Sequence, residues 1–217
     1  MDRRKITRRI EKMEDSECLS AADYALLRRW AEHPDALIRD LVASVLVFGE
    51  KPQGQALLLA LTEDPDELVR ADAYDSLSVY PDAQVAEKLK QAAAEEPDEL
   101  ARYFAIAAYA DVALETERDT AAQKKFFCAL RQRETASVCR LGCDYALYQL
   151  GEPGALKRIL GYLDDPDYIV RCRAVCTLEE IANEGNQGEI MAAVRARRSS
   201  ETSAAVRERM DAWLGQK

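Results

Sequence analysis

Few residues in this sequence have the types and spacing that catalysis needs. His33 is the only histidine among 217 residues. It precedes Pro34 in a turn and has no evident nucleophile to activate, so it is not expected to serve as a general base. Four of the six cysteines form two i, i+4 pairs, Cys139 with Cys143 and Cys172 with Cys176. Four thiols on neighbouring helices are the material of a zinc site. These pairs, however, fall in different columns of the pattern described below, and no short Cys-x2-Cys loop accompanies them. They are expected to be small hydrophobes, with Cys172 and Cys176 modestly reactive only if exposed. No Gly-rich phosphate loop and no serine nucleophile elbow is present. The expectation is a chain with no catalytic residue, no cofactor and no metal, and not an enzyme.

The chemistry left is recognition, and it rests on a recurring element. Asp64-Pro65-Asp66-Glu67-Leu68-Val69-Arg70 is a turn running into a helix. It returns as His33-Pro34-Asp35-Ala36-Leu37-Ile38-Arg39, Glu96-Pro97-Asp98-Glu99-Leu100-Ala101-Arg102 and Asp165-Pro166-Asp167-Tyr168-Ile169-Val170-Arg171. Degraded copies end at Arg140 and Arg207. Proline stops the preceding helix, and the aspartate after it can accept bonds from the orphan N–H groups that open the next. The six arginines are 31, 32, 38, 31 and 36 residues apart, a period that fits two helices per unit.

The turn, the Val-Arg or Ile-Arg pair and the Ala and Leu that follow, as in Val69-Arg70, Ala73 and Leu77, resemble the HEAT-repeat superfamily. The short bacterial form, the phycobilisome-lyase-type repeat, is the more similar. The likeness runs over roughly residues 20–215. It implies an all-α superhelical solenoid of about six two-helix repeats. It also implies that Arg39, Arg70, Arg102, Arg140, Arg171 and Arg207 form a structural ladder, each bonding a turn aspartate or carbonyl of a neighbouring repeat. The family includes bilin lyases and di-iron hydroxylases. The latter need several His-Glu pairs, against which a single histidine argues. It also includes DNA glycosylases, which need a cationic groove.

Counted from each arginine, positions −2, −1, +3 and +7 are nearly all apolar, and these columns are expected to be buried. Positions +1, +4, +5 and +8 are then expected on the concave inner-helix face. They place Tyr74, Tyr103, Tyr145 and Tyr148 beside Asp75, Asp144 and Glu179. Tyrosine gives contact area with a polar tip, and carboxylates suit a Lys/Arg-rich partner.

Ile6, Ile10 and Met13 mark a leader helix with a basic outer face, and the expected division is an N-terminal capping helix at 1–16 and one solenoid domain at 17–217. The first twelve residues carry a net charge of +4, although the chain as a whole is at −9 with a sequence pI near 4.9. That balance disfavours nucleic acid as a partner. No stretch is long and apolar enough to span a membrane, no signal peptide opens the chain, and free thiols suit a reducing compartment, so a cytoplasmic protein is expected. The function expected is a non-catalytic protein-interaction scaffold. The alternatives are a bilin lyase or lyase-related factor and an acidic inhibitor or immunity-type protein for a basic target.

Overall fold

The computed structural model describes residues 3–215, and the elements in that range are all helical. The chain is an all-α solenoid of two-helix repeats. Its contacts separate two compact units, Met1–Thr120 and Ala121–Lys217.

The first unit holds α1 (Arg3–Ser16), α2 (Ala21–Trp30), α3 (Ala36–Val45, prolonged by a 3-10 turn at Leu46–Phe48), α4 (Gln53–Leu61), α5 (Glu67–Leu77), α6 (Ala83–Glu95) and α7 (Glu99–Thr116). Helices α3, α5 and α7 pack side by side as an inner row; α4 and α6 pack on α5 and α7, and α1 packs on α3. Each inner helix starts where the sequence places an aspartate. Asp35 accepts from the Leu37 N–H, Asp66 from Leu68 and Val69, and Asp98 from Leu100 and Ala101. Helix α2 begins with a full capping box between Ser20 and Asp23. Ile38, Val42 and Val45 of α3, Val69, Ala73 and Leu77 of α5, and Ala101, Ala105 and Val112 of α7 are sealed from solvent. The alanines shorten the distance between neighbouring helices, so the row packs tightly.

The second unit holds α8 (Thr120–Arg133), α9 (Ser137–Gln149), α10 (Ala155–Gly161, followed by a 3-10 turn at Tyr162–Asp164), α11 (Tyr168–Glu180), α12 (Gln187–Arg198) and α13 (Ala204–Gly215). Here α9 packs on α11 and α11 on α13, with α10 against α9 and α11, and α12 against α13.

The arginines tie turns together in a regular way. Arg39 donates from Nε and Nη2 to Asp64 at 2.6 and 2.7 Å, and from Nη1 to the His33 carbonyl at 2.8 Å. Arg70 grips Glu96 and the Asp64 carbonyl, and Arg171 grips Glu201 and the Asp165 carbonyl. Arg102, Arg140 and Arg207 bond the carbonyls of Glu96, Glu134 and Glu201 in their own turns. The acid that receives the arginine also accepts the N–H two residues on: Asp64 from Asp66, Glu96 from Asp98, Glu201 from Ser203. One carboxylate thus satisfies a guanidinium and a turn amide together. The Arg171 bond holds Glu201 down at about 2, against the cost of its burial.

One column differs from the expected core. Leu37, Leu68 and Ile169 at position −2 are 41, 54 and 39% exposed. They sit in the first turn of an inner helix, on the side that faces neither the outer helix nor the next inner one.

Candidate partner-binding face

Helix α5 is flanked by α3 and α7 and backed by α4, so only a narrow stripe of it stays open, and α3 and α7 carry matching stripes beside it. On α5 and the turn that follows it the stripe is Leu68, Asp72, Asp75 and Val79, spaced by four, three and four residues. On α3 and its 3-10 turn it is Leu37, Asp40, Ser44 and Val47; on α7 it includes Leu100, Ala107, Asp111 and Leu114. The register between α3 and α5 is fixed by the Ser44 hydroxyl, which donates to Asp72 Oδ2 at 2.6 Å. Two apolar rails result. One is Leu37, Leu68 and Leu100, and the other is Val47, Val79 and Leu114, whose members are 37, 45 and 43% exposed. Between them lie the carboxylates of Asp40, Asp72, Asp75 and Asp111.

Asp40 and Asp72 are close enough to share a proton. Asp40 is pushed up to about 6, first by partial burial, then by the charge of Asp72 and a hydrogen bond with it, with Asp66 adding a further negative charge. Two carboxylates held together without a cation are a pair that a cationic group would relieve.

The seven residues expected to bind a partner are placed otherwise, and most of that expectation is corrected. Tyr74 is 3% exposed; its hydroxyl donates to Glu96 Oε2 at 3.0 Å. Burial and the Glu96 charge push it well above the usual tyrosine range. Tyr103 is buried edge-on against Phe104, ring centroids 5.2 Å apart. Tyr145 is buried and donates to Glu180. Asp144 is fully buried, taking Arg131 Nε at 2.7 Å, Arg158 Nε at 2.5 Å and the Tyr162 hydroxyl at 3.0 Å. Tyr148 is half-buried, its oxygen accepting from Asn186 at 2.7 Å. Glu179 is half-buried and paired with Arg209. Asp75 alone of the seven is exposed. The physical reason is rotational. Position +4 points into the crevice between inner helices, where a tyrosine fills space and its hydroxyl reaches a ladder carboxylate. In the first unit the open stripe runs through −2, +1 or +2, +5 and then +8 on α3 or +9 on α5 and α7; Tyr103, at +1, is nonetheless covered where its ring packs on Phe104, and Tyr145, at +5, belongs to α9 of the second unit. Asp72, at +2, falls outside the expected columns, although its i, i+3 spacing to Asp75 carries the signal.

Cys139 and Cys143 are buried, and burial pushes the Cys143 thiol far up. Cys172 and Cys176 are half-buried. Burial and then Cys176 raise the Cys172 thiol, which disfavours its thiolate. His33 accepts the Asp35 N–H at Nδ1, 3.1 Å away, in the first turn of the ladder. Among the described residues no group of three or more His, Cys, Asp or Glu side chains is placed to hold a metal ion, so they do not fit an iron site of the His-Glu kind. No described helix is long and apolar enough to cross a membrane.

Residues 24–110 match the family model for HEAT repeats. None of the curated proteins matches the sequence. Among solved structures the chain is similar to human deoxyhypusine hydroxylase in complex with glycerol, at 17% identity and a TM-score of 0.46, over 96% of this chain and 88% of that one. The expectation that the chain is not an enzyme is corrected by that finding, because the matching structure is an enzyme's. Helical repeats stack in the same way whether or not one face carries a reaction, so the repeat pattern does not exclude one.

Proposed function

From the premise that residues 24–110 are HEAT repeats, we propose that the chain is a scaffold that binds a Lys/Arg-rich protein segment on the open face of the first unit's inner row. The observation that carries this is the Asp40–Asp72 pair lying between two exposed apolar rails. A basic amphipathic helix meets both demands, placing its cations over the carboxylates and its apolar flanks on Leu37 and Leu68 or Val47 and Val79. The same carboxylates repel a polyphosphate, which argues against nucleic acid at this face. The rails also supply what charge alone does not. Apolar contact stabilises by roughly 25 cal/mol per Å2 removed from water, so affinity survives salt that screens the exposed carboxylates.

The test is a labelled helical peptide with Lys on one stripe and Leu beside it, titrated at neutral pH. The expected result is saturable binding that weakens about tenfold or more in an Asp40→Asn/Asp72→Asn variant. Equal affinity for both proteins overturns the reading.

A further inference from the structure

The opposite charge is concentrated on α1 and α2 of the same unit. Helix α1 turns its apolar residues inward: Ile6, Ile10 and Met13 are at most 2% exposed. Its remaining surface carries Arg3, Arg4, Lys5, Arg8, Arg9 and Lys12 against Glu11 and Asp15, all exposed, and Arg28 and Arg29 of α2 are exposed as well. Arg9 holds Asp23 at 2.6 Å and so pins α1 to the capping turn of α2. Lys5, Arg8, Lys12, Arg28 and Arg29 make no ion pair among the described residues. Between the two helices lies a cleft of about 400 Å3, walled by Lys5, Arg8, Arg9 and Lys12 on α1 and by Leu26 and Trp30 on α2.

A leader helix that only caps the repeat needs the buried face of α1 and nothing more. Unpaired cations gathered around an apolar wall are a different feature. We propose that this cleft is a second binding site, for an acidic peptide segment that carries an apolar side chain. The carboxylates meet Lys5, Arg8 and Lys12, and the apolar side chain enters against Leu26 and Trp30. Three arguments select this ligand. The apolar face of α1 is consumed by the core, so the helix has no stripe to insert among lipid tails. Helix α1 spans only about 21 Å. A long polyanion lying on it would extend over the acidic remainder of a chain whose net charge is −9. A short acidic segment needs only the local patch, and a cleft of this volume takes one large side chain rather than a flat surface.

The experiment is fluorescence anisotropy of a labelled peptide of Glu and Leu titrated with the full chain. Saturable binding is expected, falling about tenfold or more in Arg8→Glu/Lys12→Glu and by an intermediate factor in Arg8→Gln/Lys12→Gln. A peptide with Ser in place of Leu is expected to bind several-fold more weakly. The Asp40→Asn/Asp72→Asn variant is expected to bind the acidic peptide as the wild type does, which separates this site from the acidic face. Both α1 side chains are exposed, and an unchanged far-ultraviolet circular dichroism spectrum establishes that the variants fold. No saturable binding overturns the proposal, as does equal affinity for the charge-reversed variant or for the Leu-free peptide. Tighter binding of phosphatidylserine vesicles or of a DNA duplex, lost in the same variants, overturns it in favour of those anions.

Discussion

Asp40 illustrates how one side chain sets the sign of a pH dependence. Its folded value of about 6 lies above the ordinary aspartate value of 3.8. The folded chain therefore holds a proton that the unfolded chain releases, and stability contributed by that proton is lost as pH rises from about 4 through 6. Asp40→Asn is expected to raise the melting temperature at alkaline pH and to leave it nearly unchanged near pH 4. An increase of the same size at both values contradicts the assignment. A cationic partner acts in the opposite sense: it favours the ionised pair, so peptide binding at the acidic face is expected to tighten as pH rises through 6. Gly54 makes a steric case at the same scale. A Cβ there would lie 2.2 Å from the Tyr80 hydroxyl, which cannot simply swing away because it donates to the Leu46 carbonyl at 2.6 Å. Gly54→Ala is expected to cost about 1–3 kcal/mol by denaturant melts. Adding Tyr80→Phe, which deletes the obstructing oxygen, is expected to return part of it.

At the scale of the element, the informative unit is the turn with its arginine. Arg171 is raised by its bond to Glu201, and Glu201 is held at about 2 by that bond despite burial. Removing Arg171 takes away the two-pronged partner and leaves the buried carboxylate with Arg197, at 3.1 Å, as its remaining cation. Arg171→Met is therefore expected to destabilise by about 3–5 kcal/mol. Glu201→Gln in the same chain is expected to recover part of that loss, since it removes a buried charge that Arg197 alone compensates less fully; a double variant less stable than the single one contradicts this. The sign with pH follows from the depressed value. The Glu201 contribution is full above about 4.5 and is lost as pH falls toward 2. The wild type should lose stability in that window more steeply than Arg171→Met.

At the scale of the whole molecule, stability is a sum over stacked interfaces rather than a property of one centre. Val69 lies at the contact of α5 with its neighbours and is sealed from solvent. Val69→Asp is expected to cost roughly 3 kcal/mol or more, because a carboxylate enters an apolar contact with no partner. Hydrogen exchange is expected to show protection lost together over α3, α5 and α7, not in α5 alone. Charge is likewise distributed by region: a cationic α1 and α2 surface and an acidic inner-row face belong to the same unit. That separation is what gives one small repeat array two sites of opposite preference.

The order of residues along the chain sets the helices, their caps and the period. Those follow from local rules: proline ends a helix, aspartate after it caps the next, and apolar residues at helical spacing mark a buried stripe. It also carried the arginines to their turns, since the acid six residues before the next arginine recurs as Asp64, Glu96 and Glu201. How far each inner helix is covered depends instead on the packing of its neighbours. Covering on three sides leaves a stripe about one residue wide, and one residue on a helix is a rotation of about 100°. That rotation took Tyr74 and Asp144, both at +4, inside, brought Leu37, Leu68 and Asp72 out, and set Asp40 against Asp72 from a neighbouring repeat, while Tyr103 and Tyr145 are covered by their own packing, on Phe104 and at Glu180. Position in the sequence gives the face of a helix only to within that angle, and the packing of its neighbours fixes the rest.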